Sequence, residues 1–306
     1  MDIFYNIFGA VMRFIYDNIS FGYYGIAIII FTIFTRLILL PSSIKQIKSQ
    51  KHSVEMQKEI AQIQKLFKND RQKLQEETQK IRAKHGMSAM GGCLPMLLQF
   101  PIIIALFAVV REPITYILGK PQAFIEGAFR AYSERGVEFI YNGNQQMQLM
   151  NEFAANPYVL DTIDGFSRAD IINFNFLGIN LGMVPEFRPE AIFANAALYL
   201  PLLLIPILAA VTTYLQTKLM NNQGGGAASG EPGAAGMMKG MSFLMPAMIA
   251  FFAFTVPASL GLYWIVGNIF QIGQQYVMKK FFVKDDKNDK NISDKDKIIE
   301  VKGKRV

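Results

Sequence analysis

The sequence predicts an all-α membrane protein with five transmembrane helices and a cytoplasmic antiparallel helical hairpin. Three observations carry this. Hydrophobic residues make up 51% of the 306 and come in long blocks, as polytopic membrane proteins require. Residues 91–110, 191–217 and 240–278 carry no charge, and residues 21–41 carry only Arg36. The segments between these blocks differ in charge, basic on one side and acidic on the other. Residues 45–90 hold eleven Lys and Arg against five acids, and residues 112–190 hold five against ten. By the positive-inside rule the first faces the cytoplasm and the second faces out.

Residues 1–20 space apolar side chains helically (Ile3, Phe4, Ile7, Phe8, Val11, Met12, Ile15). They read as an amphipathic helix in the outer interface or as an extension of the first span. Transmembrane helix 1 is assigned to 21–41, long enough to cross a hydrocarbon core of about 30 Å, and is ended by Pro41. It has no small-residue cleavage site of a signal peptide. The cytoplasmic helical hairpin is assigned to 42–90, opened by a Ser42 or Ser43 cap. Its two polar runs, 44–67 and 71–85, meet at Lys68-Asn69-Asp70, a turn-and-cap sequence. Ile60, Ile63 and Phe67 form one apolar row facing Leu74, Thr78 and Ile81. Gly86 and Gly91-Gly92 turn the chain into transmembrane helix 2, assigned to 91–111, where Pro95 and Pro101 bend the backbone and Gln99 faces inward.

The extracytoplasmic segment is assigned to 112–190, with an amphipathic helix around 123–130, a polar middle at 142–146 and a stretch, 171–182, at the outer membrane surface. The GxxxG match within 178–182 is read as chance. Transmembrane helix 3 is assigned to 191–217 and a flexible Gly/Ala-rich cytoplasmic loop to 218–239. The block 240–278 is too long for one crossing, and Pro257-Ala-Ser-Leu-Gly261 divides it into transmembrane helices 4 (240–257) and 5 (259–279). A charged cytoplasmic tail, 280–306, completes the chain. Five crossings place the termini on opposite sides, in agreement with the charge bias.

The composition excludes several chemistries. The two histidines, His52 and His85, lie on the hairpin, and no acidic residue lies within a span. That removes a serine–histidine protease, a membrane zinc site and a carboxylate proton relay. No phosphate-binding loop occurs in 222–236, and the single cysteine, Cys93, excludes an internal disulfide. No enzyme activity, cofactor or metal is expected. The net charge of +7 reflects topology and attraction to anionic lipid or ribosomal RNA.

What remains is a set of polar groups within the spans: Thr32, Thr35, Arg36, Gln99, Thr212, Thr213, Gln216, Asn268 and Gln271. An arginine in a span costs about 2.5–3.5 kcal/mol on insertion scales, so something must solvate or pair it. One reading is a wet cavity open to the cytoplasm and lined by this set. The other is that Arg36 reaches the headgroups and the amides make ordinary interhelical bonds.

The blocks TRLILLPSSIKQIKSQK, HGMSAMGGCLPMLLQFPIIIALF, PILAAVTTYLQTKLM and FTVPASLGLYWIVGNIFQIGQQ, in this order around a charged hairpin, resemble the YidC family of membrane protein insertases. The resemblance covers 25–118 and 198–280. It implies insertion of nascent transmembrane segments into the cytoplasmic (inner) membrane of a bacterium, through a hydrophilic groove with its arginine at Arg36. It also implies a client-capture hairpin, with Lys51, Lys58, Lys65, Arg71 and Lys73 as its basic contacts, and as partners nascent membrane proteins, membrane lipids, the Sec translocon and the ribosome, without nucleotide. The large external domain of many Gram-negative relatives is missing, and the external segment is longer than in compact ones. Two rivals remain: a small-solute transporter, and an assembly factor that binds finished membrane proteins without inserting them.

Overall fold

The computed structural model describes residues 2–68, 70–85, 94–141, 143–222 and 234–282. The turn glycines 86 and 91–92, Cys93, most of the 218–239 loop and nearly all of the tail lie outside these residues, as do the side chains of Lys51, Lys58 and Gln99. The described chain is helical except for one two-stranded antiparallel sheet.

Helix α1 (Asp2–Asn18) turns at Phe21-Gly22 into α2 (Tyr24–Ile38). It buries Met12 and Ile15 in the common core and leaves Ile3, Ile7 and Phe14 exposed on the other side. Helix α1 is thus apolar on two faces.

Pro41 does not end helix α2. The break falls at Leu39, and Pro41 sits in the first turn of α3 (Leu40–Leu66), where a missing N–H costs nothing. Neither Ser42 nor Ser43 caps that helix; the Ser43 hydroxyl donates back to the Leu39 carbonyl. Helix α4 (Arg71–Lys84) is capped by Asp70, whose carboxylate accepts the Lys73 N–H at 3.0 Å. Met56, Ile60, Leu74 and Thr78 are buried where α3 and α4 meet, and Glu59 pairs with Lys84 at 3.1 Å. The Lys84 ammonium holds the Glu59 carboxyl below its ordinary value. The pair's contribution is therefore present above that ordinary value and fades as pH falls through the depressed one.

Helix α5 (Leu94–Arg111) leads into a short α6 (Pro113–Tyr116), α7 (Gln122–Ser133) and α8 (Gln145–Ala155). Two 3-10 turns, Pro157–Thr162 and Arg168–Asp170, follow, then strands β1 (Asn175–Phe176) and β2 (Ile179–Asn180). These pieces form a compact unit with a core of Ile125, Tyr132, Met150, Phe153, Leu160 and Phe166. The Tyr132 hydroxyl donates to the Asn156 carbonyl at 2.9 Å, and burial pushes that phenol up to about 12. Lys120 pairs with Asp170 at 2.9 Å and donates to the Gly165 carbonyl. At the base of the unit, Arg111 donates to the Gly143 carbonyl and Asn144 Oδ1. The sequence reading saw only one helix here, around 123–130.

Strands β1 and β2 pair Phe176 with Ile179 across a two-residue turn, Leu177-Gly178, with φ of +53° and +81°. Both residues being left-handed makes a type I′ turn, which suits the twist of a hairpin. Leucine at its first position costs roughly 1–2 kcal/mol that asparagine or glycine would spare. The GxxxG match is this turn: Gly178 supplies the positive φ, and Gly182 leaves room for the Phe174 ring, 2.4 Å from a would-be Cβ.

Helix α9 (Pro189–Ala194) stops at Asn195, which accepts the Leu198 N–H as α10 (Ala196–Asn222) begins. The assigned third span is therefore two helices. Helices α11 (Ala234–Ala253) and α12 (Ala258–Phe282) flank the turn at Pro257. Among the described residues, Ala196–Met220 is the one helix long and apolar enough to cross a membrane. Tyr24–Ile38, Phe100–Arg111 and Leu244–Ala253 are shorter apolar helices, and α12 carries several amides. Helix α12 packs between α2 and α10, and that arrangement positions the polar residues.

Candidate functional site

Among the described residues, the side-chain hydrogen bonds between α10 and α12 centre on the middle of α12. Asn268 is buried, and its Nδ2 donates to Thr212 Oγ1 at 3.1 Å and Thr213 Oγ1 at 2.9 Å. Those hydroxyls pass the chain on: Thr212 donates to the Leu208 carbonyl and Thr213 to that of Ala209, both at 2.7 Å. Two turns of α10 and one side chain of α12 are thereby joined. Gln216 Nε2 donates to Gln271 Oε1 one turn further along. An apolar interior raises the cost of any unmatched polar group, so such a matched seam fixes the register of the two helices.

Arg36 stands on the other side of the same helix. A Cβ on Gly267 would lie 2.6 Å from Arg36 Nη2 and 3.3 Å from its Cζ, so the guanidinium occupies the space this glycine leaves. Positions 267 and 268 are about 100° apart on a helix. Helix α12 therefore turns Gly267 towards Arg36 of α2 and Asn268 towards α10. Tyr263, one turn before Gly267 and buried, is an electrostatic neighbour of the guanidinium. Thr32 and Thr35 lie on the buried side of α2 and donate to carbonyls of their own helix, Ile28 at 2.6 Å and Thr32 at 2.8 Å. They flank Arg36 without bonding to it through their hydroxyl protons.

The structure thus joins Thr212, Thr213 and Asn268 in one cluster and Gln216 with Gln271 in another, and seats Arg36 of α2 against Gly267, on a different side of α12 from Asn268. The interhelical amide bonds weighed as an alternative to a wet cavity are present. Lys65, Arg71 and Lys73 are exposed around the α3–α4 connection, remote in sequence from the seam. Gly267 and Tyr263 escaped the sequence reading. The one signal was a residue without a side chain next to Asn268 in a run of amides. Gln275, which the spacing puts on one helical face with Asn268 and Gln271 but outside the assigned groove set, has a buried side chain whose Oε1 has no hydrogen-bond partner among the described residues. No group of three or more His, Cys, Asp or Glu side chains that would suit a metal ion occurs among the described residues.

Comparison with known proteins places relatives around this geometry. A family model described as 60Kd inner membrane protein matches residues 14–286. A membrane protein insertase YidC of Oceanobacillus iheyensis is 31% identical over 262 residues, covering 84% of this chain and 75% of that protein. One of the same name from Clostridium perfringens is 30% identical over 279 residues, 90% of this chain and 87% of that protein. Membrane protein insertase MisCA of Bacillus subtilis is 29% identical over 260 residues, 84% of this chain and 70% of that protein.

Proposed function

This chain belongs to the 60Kd inner membrane protein family, whose relatives named above are membrane protein insertases, and on that premise we propose how it works. It is an insertase rather than an enzyme, it resides in the membrane, and its substrates are nascent membrane proteins. The proposed mechanism has Arg36 receive the acidic flank of a client at the cytoplasmic side of α12. The client's apolar segment meanwhile leaves into lipid, where burial of its surface drives the reaction without nucleotide or metal. Thr32, Thr35, Gln99, Thr212, Thr213, Gln216, Asn268 and Gln271 belong to the same groove in this reading. The observation that carries it is the Arg36 guanidinium seated against Gly267, next to the only amide that bridges two threonines of α10 among the described residues.

The topology proposed with it has five spans built on α2, α5, α10, α11 and α12. Helix α1 lies outside at the interface, the 112–190 unit is external, and the C-terminus is cytoplasmic. Helices α3 and α4 make a cytoplasmic antiparallel hairpin whose Lys51, Lys58, Lys65, Arg71 and Lys73 meet the incoming chain. Contacts with the Sec translocon, the ribosome and anionic lipid belong to the same proposal.

The test is reconstitution into vesicles of lipid alone, with a small single-span client carrying an acidic tail. Protease protection of that tail is expected with the protein and not in empty vesicles. Equal exposure in both would hand the chain to the assembly-factor reading.

The seat of Arg36 makes a second expectation. Gly267→Leu drives a side chain into the guanidinium, whereas Gly267→Ala needs only a small shift at the flexible end of Arg36. Insertion should fall sharply in the first and modestly in the second, with both proteins eluting as the native one does on gel filtration. Native insertion by Gly267→Leu would remove this seat from the mechanism.

A further inference from the structure

Two of the most exposed large apolar side chains sit on backbone that their residue types disfavour. Phe21, in the α1–α2 turn, has φ +53° and is 85% exposed; Leu177, at the tip of the hairpin, has φ +53° and is 87% exposed. Neither side chain contributes to the core, so in water each would combine backbone strain with exposed apolar surface. Such a pairing makes sense where the surroundings of the tip are not water.

The two lie at one end of the molecule. Phe176, the residue before Leu177, packs where a Cβ of Gly25 would be, 2.3 Å from that position, and Tyr24 meets Phe174 edge to face at 4.9 Å. The base of the hairpin is also held from the other side: Ala258 and Ser259 of α12 donate to the carbonyls of Met183 and Leu181 at 2.8 and 2.9 Å. The hairpin is therefore clamped across the outer ends of α2 and α12, with only its tip projecting. Ile19 and Tyr23 are exposed beside Phe21.

Length supplies the independent argument. Helix α2 has 15 residues, about 22 Å at 1.5 Å per residue, against a hydrocarbon core of about 30 Å. At its inner end the apolar chain runs on through Leu39 and Leu40 into α3. At its outer end it turns at once, and of the apolar side chains there that can fill the remaining depth, Phe21 and Leu177 are the most exposed, with Ile19 and Tyr23 beside Phe21. A span shorter than the bilayer otherwise thins it at a modest cost, which apolar side chains at the outer end would reduce.

We propose that the Phe21 turn and the Leu177 hairpin tip form a two-pronged wedge that enters the outer leaflet of the bilayer and anchors the external unit to it. The wedge fixes the depth and tilt of α2 at the end opposite Arg36. It rests on the topology proposed above, in which the start of α2 is external.

The test uses the full chain with Trp264→Phe, which removes its one tryptophan, and single tryptophans introduced by Leu177→Trp, Phe21→Trp or, as a reference on the exposed middle of α2, Phe34→Trp. In vesicles of phosphatidylcholine and phosphatidylglycerol, some brominated near the headgroup end of the acyl chains, the 177 and 21 variants should emit blue-shifted light. They should lose intensity to the brominated lipid about as the 34 variant does, and resist iodide added outside. Quenching at 34 with iodide-sensitive emission at 177 and 21 would overturn the wedge and leave the topology standing. No quenching at 34 would overturn the topology and the wedge with it. Iodide protection at 177 that appears only at high protein density, without lipid quenching, would make this face a contact between two copies and overturn the lipid assignment. Leu177→Asn, which relieves the left-handed strain, should raise the thermal midpoint in detergent and so show that leucine is not there for folding; a lowered midpoint would mean that the leucine side chain serves the fold instead.

Discussion

Replacing Arg36 with alanine should reduce insertion of a client with an acidic translocated tail by about tenfold or more, and lysine should restore most of it. A tenfold loss corresponds to about 1.4 kcal/mol. Two unit charges 4 Å apart at an effective dielectric near 20 attract by about 4 kcal/mol, so the loss requires only part of that attraction to act in the rate-determining state. Lysine keeps the charge but lacks the planar fork that fills the space over Gly267. Protease protection with neutral-tailed and acidic-tailed clients separates the two contributions. Equal activity of the alanine and lysine variants on the acidic client would remove charge from the mechanism, and equal loss in both would make geometry the cause.

The largest effect on stability should come from Gly261→Leu. A Cβ at 261 would stand 2.2 Å from Ile205 Cγ2, and Ile205 is itself buried in the common core, so neither side can give way cheaply. Forcing extra carbons into a close-packed contact costs typically 1–3 kcal/mol, occasionally more. Each kcal/mol lowers the thermal midpoint of a chain this large by roughly 2–4 °C. Gly127→Ala is the internal control. It lies on an exposed face of α7 with nothing within 4 Å of the new carbon, and should gain up to about 1 kcal/mol of helix propensity. A melt in which Gly261→Leu matches the native midpoint would mean that α10 and α12 are not held at the separation described.

The helical class was legible because hydrophobic blocks and charge bias both report on the solvent, and the solvent dictates helices. Asp70 was legible for a local reason, since a cap is set by residues a few positions away. The compact unit that follows α5 was not. Its core joins Ile125, Met150, Leu160 and Phe166 from separate short elements, and none of these runs long enough to show a period. The hairpin hid behind a leucine where the common turn signal is asparagine. Around Arg36 the polar residue types were readable, because amides and a charge in an apolar span stand out. Their partnerships were not: the pairing of Asn268 with two threonines depends on how α10 and α12 face each other. Gly267 gave only the faint signal of a missing side chain beside Asn268, because its role is to be empty.

The hydrogen bonds from Ala258 and Ser259 to Met183 and Leu181 have a consequence for biosynthesis. The first N–H groups of a helix have no partner within it, and here they are satisfied by main chain translated long before α12 leaves the ribosome. The acceptors must already be in place when the last helix arrives. The segment before α9 is thus a template laid down early and read late, and the packing of the last helix is completed by contacts of high contact order, the kind that form slowly. An insertase must itself be inserted, and in this chain the docking of the last helix depends on a structure made earlier in the chain.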